Sequence, residues 1–185
     1  SAGTFRPIKE DDFKNHDMHK ERIIVNRRNV ENILHHSGHI IPVGTTALRT
    51  LESLYWYGAK LTLDNNSPFK IEKDDPYQPH YQGISKEKAM LAILEKFDKE
   101  KNQELRGETE VFIYPGYDFK VASALFTNFH MPGSTLILLV AAFVGDDWKE
   151  IYREALANEY RFLSYGDTSL LIPDSMSKPK TDDNV

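Results

Sequence analysis

The chain is 185 residues long, 40% hydrophobic and 28% charged, with a net charge of −5. That balance excludes a disordered polar chain and a module that grips nucleic acid by bulk positive charge, while leaving room for a local basic patch. It contains no cysteine, which excludes a disulfide framework and thiolate chemistry and suits a cytoplasmic protein.

Thr4 to Ile8 reads as a short strand, followed by a polar connection from Lys9 to Lys20. Glu21 to Asn26, with Ile23, Ile24 and Val25, predicts a strand. Val30, Ile33 and Leu34 recur at helical spacing within Arg27–Ser37, and Gly38 supplies the stop. His39 to Val43 is a second apolar strand, from which Gly44-Thr45-Thr46 leads into a helix running to Tyr57. This strand–helix–strand–helix order predicts an α/β fold, a layered domain with a mostly parallel sheet flanked by helices.

From Gly58 to Ser85 the pattern is lost among the turn signals Asn65-Asn66-Ser67-Pro68, Asp74-Asp75-Pro76 and Gln78-Pro79, which predict a long excursion with one short strand pair. Ser85 then caps an amphipathic helix to Asn102, with Met90, Ile93, Leu94 and Phe97 on one face; the excursion as a whole covers 58–106. Glu110 to Tyr114 returns to strand, Pro115-Gly116 turns, and a further strand covers Ala122 to Asn128. Two helices, Ser134–Val144 and Trp148–Glu159, precede a strand through Leu170-Leu171-Ile172. One domain thus covers 1–172, and composition predicts a disordered tail over 173–185. The longest apolar run, Leu136 to Val144, is far short of the roughly 20 residues that cross a bilayer and reads as a buried helix, so no membrane association is expected. The opening Ser1-Ala2-Gly3-Thr4-Phe5 lacks an initiator Met and reads as a processed protein or part of something larger.

Thr127-Asn128-Phe129-His130-Met131-Pro132-Gly133-Ser134-Thr135 is the stretch richest in chemistry. A strand end, a polar loop and a helix start present Asn, His, Ser and Thr together, where free helix N–H groups favour an anion and His130 brings a proton-exchanging ring near neutral pH. Val43-Gly44-Thr45-Thr46 repeats the strand–loop–helix theme, with Arg49 and Glu52 a turn further on. It suits ribose, carboxylate or phosphate, but equally an ordinary N-cap followed by a solvated ion pair. His16 and His19 with Glu21 have the spacing of a partial metal site, although the third ligand is not assured and no zinc-protease signature is present. Tyr114-Pro115-Gly116-Tyr117 sets rings beside a turn, where they stack on a base or close a core edge. Asp167 follows Gly166 as an exposed carboxylate beside Tyr165.

Gly3-Thr4-Phe5-Arg6-Pro7, His16-x-Met18-His19-x-Glu21, Val43-Gly44-Thr45-Thr46-x-x-Arg49-x-Leu51-Glu52, Ile113-Tyr114-Pro115-Gly116, Thr127-Asn128-Phe129-His130-x-Pro132-x-Ser134-Thr135-Leu136 and Tyr160-Arg161-Phe162-x-Ser164-Tyr165-Gly166-Asp167 follow one another in this order. Together they resemble the S-adenosylmethionine:tRNA ribosyltransferase-isomerase family of queuosine biosynthesis over nearly the whole chain except Gly58–Arg106 and the tail. The resemblance implies an α/β domain lacking the family's N-terminal half and inserted β-barrel, and hence little transferase activity alone. It implies transfer of the ribosyl portion of S-adenosylmethionine to 7-aminomethyl-7-deazaguanine in tRNA with a GUN anticodon. Rearrangement then gives epoxyqueuosine and releases adenine and methionine. S-adenosylmethionine is the substrate; no metal or redox cofactor is expected, and the enzyme is expected to be a cytoplasmic monomer.

On that resemblance His130 is the first choice for proton transfer, His16 or His19 the second, and Asp167 orients a hydroxyl or the aminomethyl group. Substrate contacts fall on Thr4, Phe5, Gly44, Thr45, Thr46, Arg49, Glu52, Tyr114, Asn128, Ser134, Thr135 and Tyr165, with Arg22, Arg27 and Arg28 as candidate tRNA backbone contacts. Two other classes stay open: a non-catalytic anion- or tRNA-binding module, and a metal-dependent hydrolase using His16, His19 and Glu21.

Overall fold

A computed structural model describes residues 18–36 and 38–173. The expected strand at Thr4–Ile8, the candidate residues Thr4, Phe5 and His16, and the tail from Asp174 onward lie outside the described residues.

β1 (Glu21–Asn26) runs directly into α1 (Arg27–His35) because Asn26 serves both elements. Its side chain accepts from the Asn29 N–H while the Asn29 side chain accepts from the Asn26 N–H, each at 3.0 Å, a reciprocal cap that satisfies donors at the helix start. α1 buries Val30 and Ile33 as their spacing requires.

β1 pairs antiparallel with β3 (Glu104–Thr109), Glu21 opposite Thr109 and Asn26 opposite Glu104. The two-residue β2 (Lys70–Ile71) joins the other side of β3 in the parallel sense. A second sheet pairs β4 (Leu125–Asn128) antiparallel with β5 (Thr168–Leu171). Pro42–Gly44 lies alongside β4, the Gly44 N–H donating to the Phe126 carbonyl at 2.7 Å and the Phe126 N–H to Pro42 at 3.0 Å. The α/β class stands, but the mostly parallel sheet is corrected to a mixed sheet and an antiparallel pair. Of the strand expected at His39–Val43 only an isolated parallel bridge from Val43 to Phe126 forms, so the strand order in the chain says nothing about pairing.

α2 (Thr45–Leu63) continues six residues past the expected stop at Tyr57. Gly58 does not end it; it lets α2 approach α3 (Lys86–Glu100), which starts at Ser85, whose hydroxyl accepts from the Lys88 N–H at 3.1 Å. Tyr55, Trp56 and Tyr57 on α2 and Met90, Ile93 and Phe97 on α3 are almost fully buried. Each contributes roughly 1.5–3 kcal/mol by burial. The strand expected at Glu110–Tyr114 is displaced: the ladder is β3, and Val111, Phe112 and Ile113 continue it as buried extended chain, with the Glu110 N–H donating to the Ile71 carbonyl at 2.8 Å.

The C-terminal part adds α4 (Thr135–Val144) and α5 (Trp148–Ala157), which pack on each other. Phe129 packs edge-on against Tyr152 at 5.6 Å and also contacts Tyr160 and Phe162, fixing the loop that leaves β4.

Candidate functional site

The loop between β4 and α4 is held from three directions. Leu125 and Thr127 point into the core, as the period of two in β4 requires, and this carries the chain to His130, only 7% exposed. The His130 N–H donates to the Tyr152 hydroxyl of α5 at 2.9 Å, and its Nε2 lies 2.9 Å from Thr127 Oγ1. Burial alone pulls the ring down to a pKa of about 4. His130 is therefore neutral at pH 7, which corrects the expectation of a ring that titrates near neutrality.

Gly133, at φ +74°, turns the chain into α4. Ser134 occupies the cap position with extended backbone, yet its hydroxyl donates to the Met131 carbonyl at 2.7 Å rather than capping the helix. The first N–H groups of α4, beside buried Ser134 and Thr135, thus receive no side-chain cap.

The loop after α5 folds onto the same place. The Leu163 N–H donates to the Phe129 carbonyl at 2.8 Å, and the Asn128 amide donates to the Asp167 carbonyl at 3.1 Å. The Asp167 carboxylate accepts from the Arg161 backbone N–H at 2.6 Å and from Nε at 3.0 Å, so Arg161 holds it below the usual carboxylate range. Tyr165 is 74% exposed at the rim of this loop. The fold therefore brings Asn128, His130, Ser134, Thr135, Tyr165 and Asp167 to one corner. Gly44, at φ +89°, reaches the neighbouring strand through Phe126 and starts α2 without a side-chain cap, with Thr45 half-buried and Thr46 exposed.

Arg49 is buried one turn into α2. Its Nε donates to the Val111 carbonyl at 3.1 Å and its Nη1 pairs with Glu21, while Nη2 is enclosed with no partner among the described residues. Desolvation lowers its pKa against the pull of Glu21. Glu52 is corrected from a substrate contact to an internal anchor. It is wholly buried, and its carboxylate accepts from the Tyr117 hydroxyl and the Lys120, Val121 and Ala122 N–H groups, all at 2.9 Å. Tyr114 stacks on Tyr77 with ring centroids 4.3 Å apart, the core-edge alternative of the sequence reading.

His19 is exposed, and Glu21 is committed to Arg49. Among the described residues no group of three His, Asp or Glu is placed to hold a metal ion. Of the tRNA candidates, Arg27 is committed to Glu31 and Asp98, and Arg22 and Arg28 are exposed.

Several partners escaped the sequence. Arg161, six residues before Asp167, and Thr127, three before His130, carry a faint signal in their spacing. Tyr152 carries none, because only the packing of α5 brings it to His130.

A family model described as "Queuosine biosynthesis protein" matches residues 1–171. The S-adenosylmethionine:tRNA ribosyltransferase-isomerase of Dinoroseobacter shibae is 37% identical over 177 residues, covering 94% of this chain and 38% of the relative. That of Cereibacter sphaeroides is 39% identical over 176 residues, covering 93% and 39%. Among solved structures, the S-adenosylmethionine tRNA ribosyltransferase of Thermotoga maritima matches with a TM-score of 0.53 at 32% identity, over 82% of this chain and 40% of that one. The chain spans about two fifths of the length of these relatives.

Proposed function

The chain belongs to the queuosine biosynthesis protein family, and on that premise we propose that it provides part of the site of an S-adenosylmethionine:tRNA ribosyltransferase-isomerase. The reaction moves the ribosyl portion of S-adenosylmethionine to 7-aminomethyl-7-deazaguanine in tRNA with a GUN anticodon. It forms epoxyqueuosine and releases adenine and methionine, in the cytoplasm and with the enzyme as a monomer. The observation that carries this reading is the convergence of Asn128, His130, Ser134, Thr135 and Asp167, from segments far apart in the chain, on the corner between β4 and α4.

The chemistry asks for a base at the carbon beside the sulfonium and an acid for departing adenine. His130 meets the ribosyl group as a neutral imidazole, which disfavours it as a stored acid; His19 and His16 remain second candidates for proton transfer. Asp167, kept ionised by Arg161, orients a ribose hydroxyl or the aminomethyl group. The uncapped starts of α4 and α2, with Ser134, Thr135, Thr45 and Thr46, hold ribose or the methionine carboxylate. Arg49, with its guanidinium enclosed, is left as the buried partner of Glu21 and the Val111 carbonyl.

Because the relatives are more than twice as long, the chain alone is expected to turn over little. Adenine release from S-adenosylmethionine with substrate tRNA tests the reading, in a full-length relative carrying Ala at the position of His130. Unchanged turnover would end the role of His130. The competing reading is a module that binds an anion or tRNA without chemistry. Calorimetry of this chain with S-adenosylmethionine and with tRNA separates the two: tRNA binding without S-adenosylmethionine binding supports the module.

A further inference from the structure

We propose that Thr127 is a positioning residue that fixes His130 as the tautomer with its proton on Nδ1. The corner then presents an uncharged N–H donor to a substrate oxygen or nitrogen, not a bare nitrogen to an acidic C–H. Its bearing on substrate rests on the ribosyltransferase reading; the tautomer itself does not.

The argument is an accounting of hydrogens. Thr127 is 4% exposed, and among the described residues His130 Nε2, at 2.9 Å, is the one partner of its hydroxyl. A hydroxyl has one hydrogen to place, and a neutral imidazole has one donor and one acceptor nitrogen. If Nε2 carried the proton and donated to Thr127, the hydroxyl hydrogen would be buried without an acceptor, the more costly kind of unsatisfied group. If Thr127 donates to Nε2, both atoms are satisfied and the proton must sit on Nδ1.

Nδ1 has no hydrogen-bond partner among the described residues and is not fully enclosed, so it is the ring nitrogen left for a ligand. The Tyr152 hydroxyl is taken by the backbone N–H of His130, and among the described residues the ring makes no ion pair, so the hydroxyl of Thr127 decides the tautomer.

Free histidine favours the proton on Nε2, so the expected state is the reverse of the default. Long-range proton–nitrogen correlation spectra of the chain labelled with nitrogen-15 in its seven histidines, with His130→Gln identifying the signal, read the tautomer directly. At pH 7 the expected result is a pyrrole-type shift at Nδ1 and a pyridine-type shift at Nε2. Thr127→Ser is expected to keep that pattern, and Thr127→Asp, whose carboxylate can only accept, to put a proton on Nε2. A protonated Nε2 in the unsubstituted chain, or a bare Nε2 in Thr127→Asp, overturns the proposal. Unchanged turnover with Ala at His130 in a full-length relative would instead remove the catalytic reading and leave the tautomer standing.

Discussion

Gly58 of α2 and Ala89 of α3 meet backbone to backbone: a Cβ added to Gly58 would lie 2.2 Å from the Ala89 carbonyl oxygen and 2.8 Å from its Cα. Gly58→Ala would gain up to about 1 kcal/mol in helix propensity, but pushing two buried helices apart costs about 1–3 kcal/mol and often more. The clash is with backbone, which cannot swing away, so overpacking wins. Urea unfolding is expected to show a net loss of about 2 kcal/mol; an unchanged midpoint would refute the close approach.

Glu52→Gln tests the internal anchor. The amide would aim its NH2 at positions where the loop supplies N–H and O–H donors, leaving at least one of them buried and unpaired. A loss of about 2–3 kcal/mol is expected in denaturant titration, and accelerated amide exchange at Lys120, Val121 and Ala122 should locate it. Protection at those three amides equal to that of the unsubstituted chain would show that the carboxylate does not organise them.

His130 makes stability depend on pH. Its folded pKa of about 4 lies below the ordinary value of 6.5, so between these values the unfolded chain binds more protons. Stability is then complete above about pH 6.5 and falls as pH drops toward 4, by about 3 kcal/mol from this group. Other carboxylates titrate in the same range, so the informative quantity is the difference between unsubstituted chain and His130→Gln. The gap between their urea midpoints is expected to narrow from pH 7 to pH 4.5; a constant gap would mean that the ring is not desolvated.

Asp167→Asn should act locally. Loss of the charge weakens the contacts to the Arg161 backbone and guanidinium, so exchange of the Arg161 and Leu163 amides is expected to quicken. The pair is exposed, so the melting midpoint should stay put. A fall in the midpoint without faster exchange would place the function of Asp167 elsewhere in the fold.

Helix starts were legible in the sequence wherever a local device marks them. Ser85 caps α3, Gly44 precedes α2, and the periodic apolar faces of α1 and α3 are buried as read. Sheet pairing was not legible. In β3 the apolar signal is confined to Leu105 among charged neighbours, and Gly107 is there to admit Phe69, whose ring atom would lie 2.2 Å from an added Cβ. The apolar triplet Val111-Phe112-Ile113 drew the strand assignment away from it. At the candidate site, the sequence singled out the loop but not the burial of its histidine, which depends on how the whole chain packs. Glu52 was misread for a similar reason: its four donors lie 65 to 70 residues away.

That separation dictates an order of events. Glu52 leaves the ribosome long before Tyr117 and Lys120–Ala122, and until they arrive its carboxylate has only water for company. The Lys120–Ala122 loop takes its shape from a carboxylate carried by α2, so the segment that leads into β4 is held in place by a helix synthesised far ahead of it.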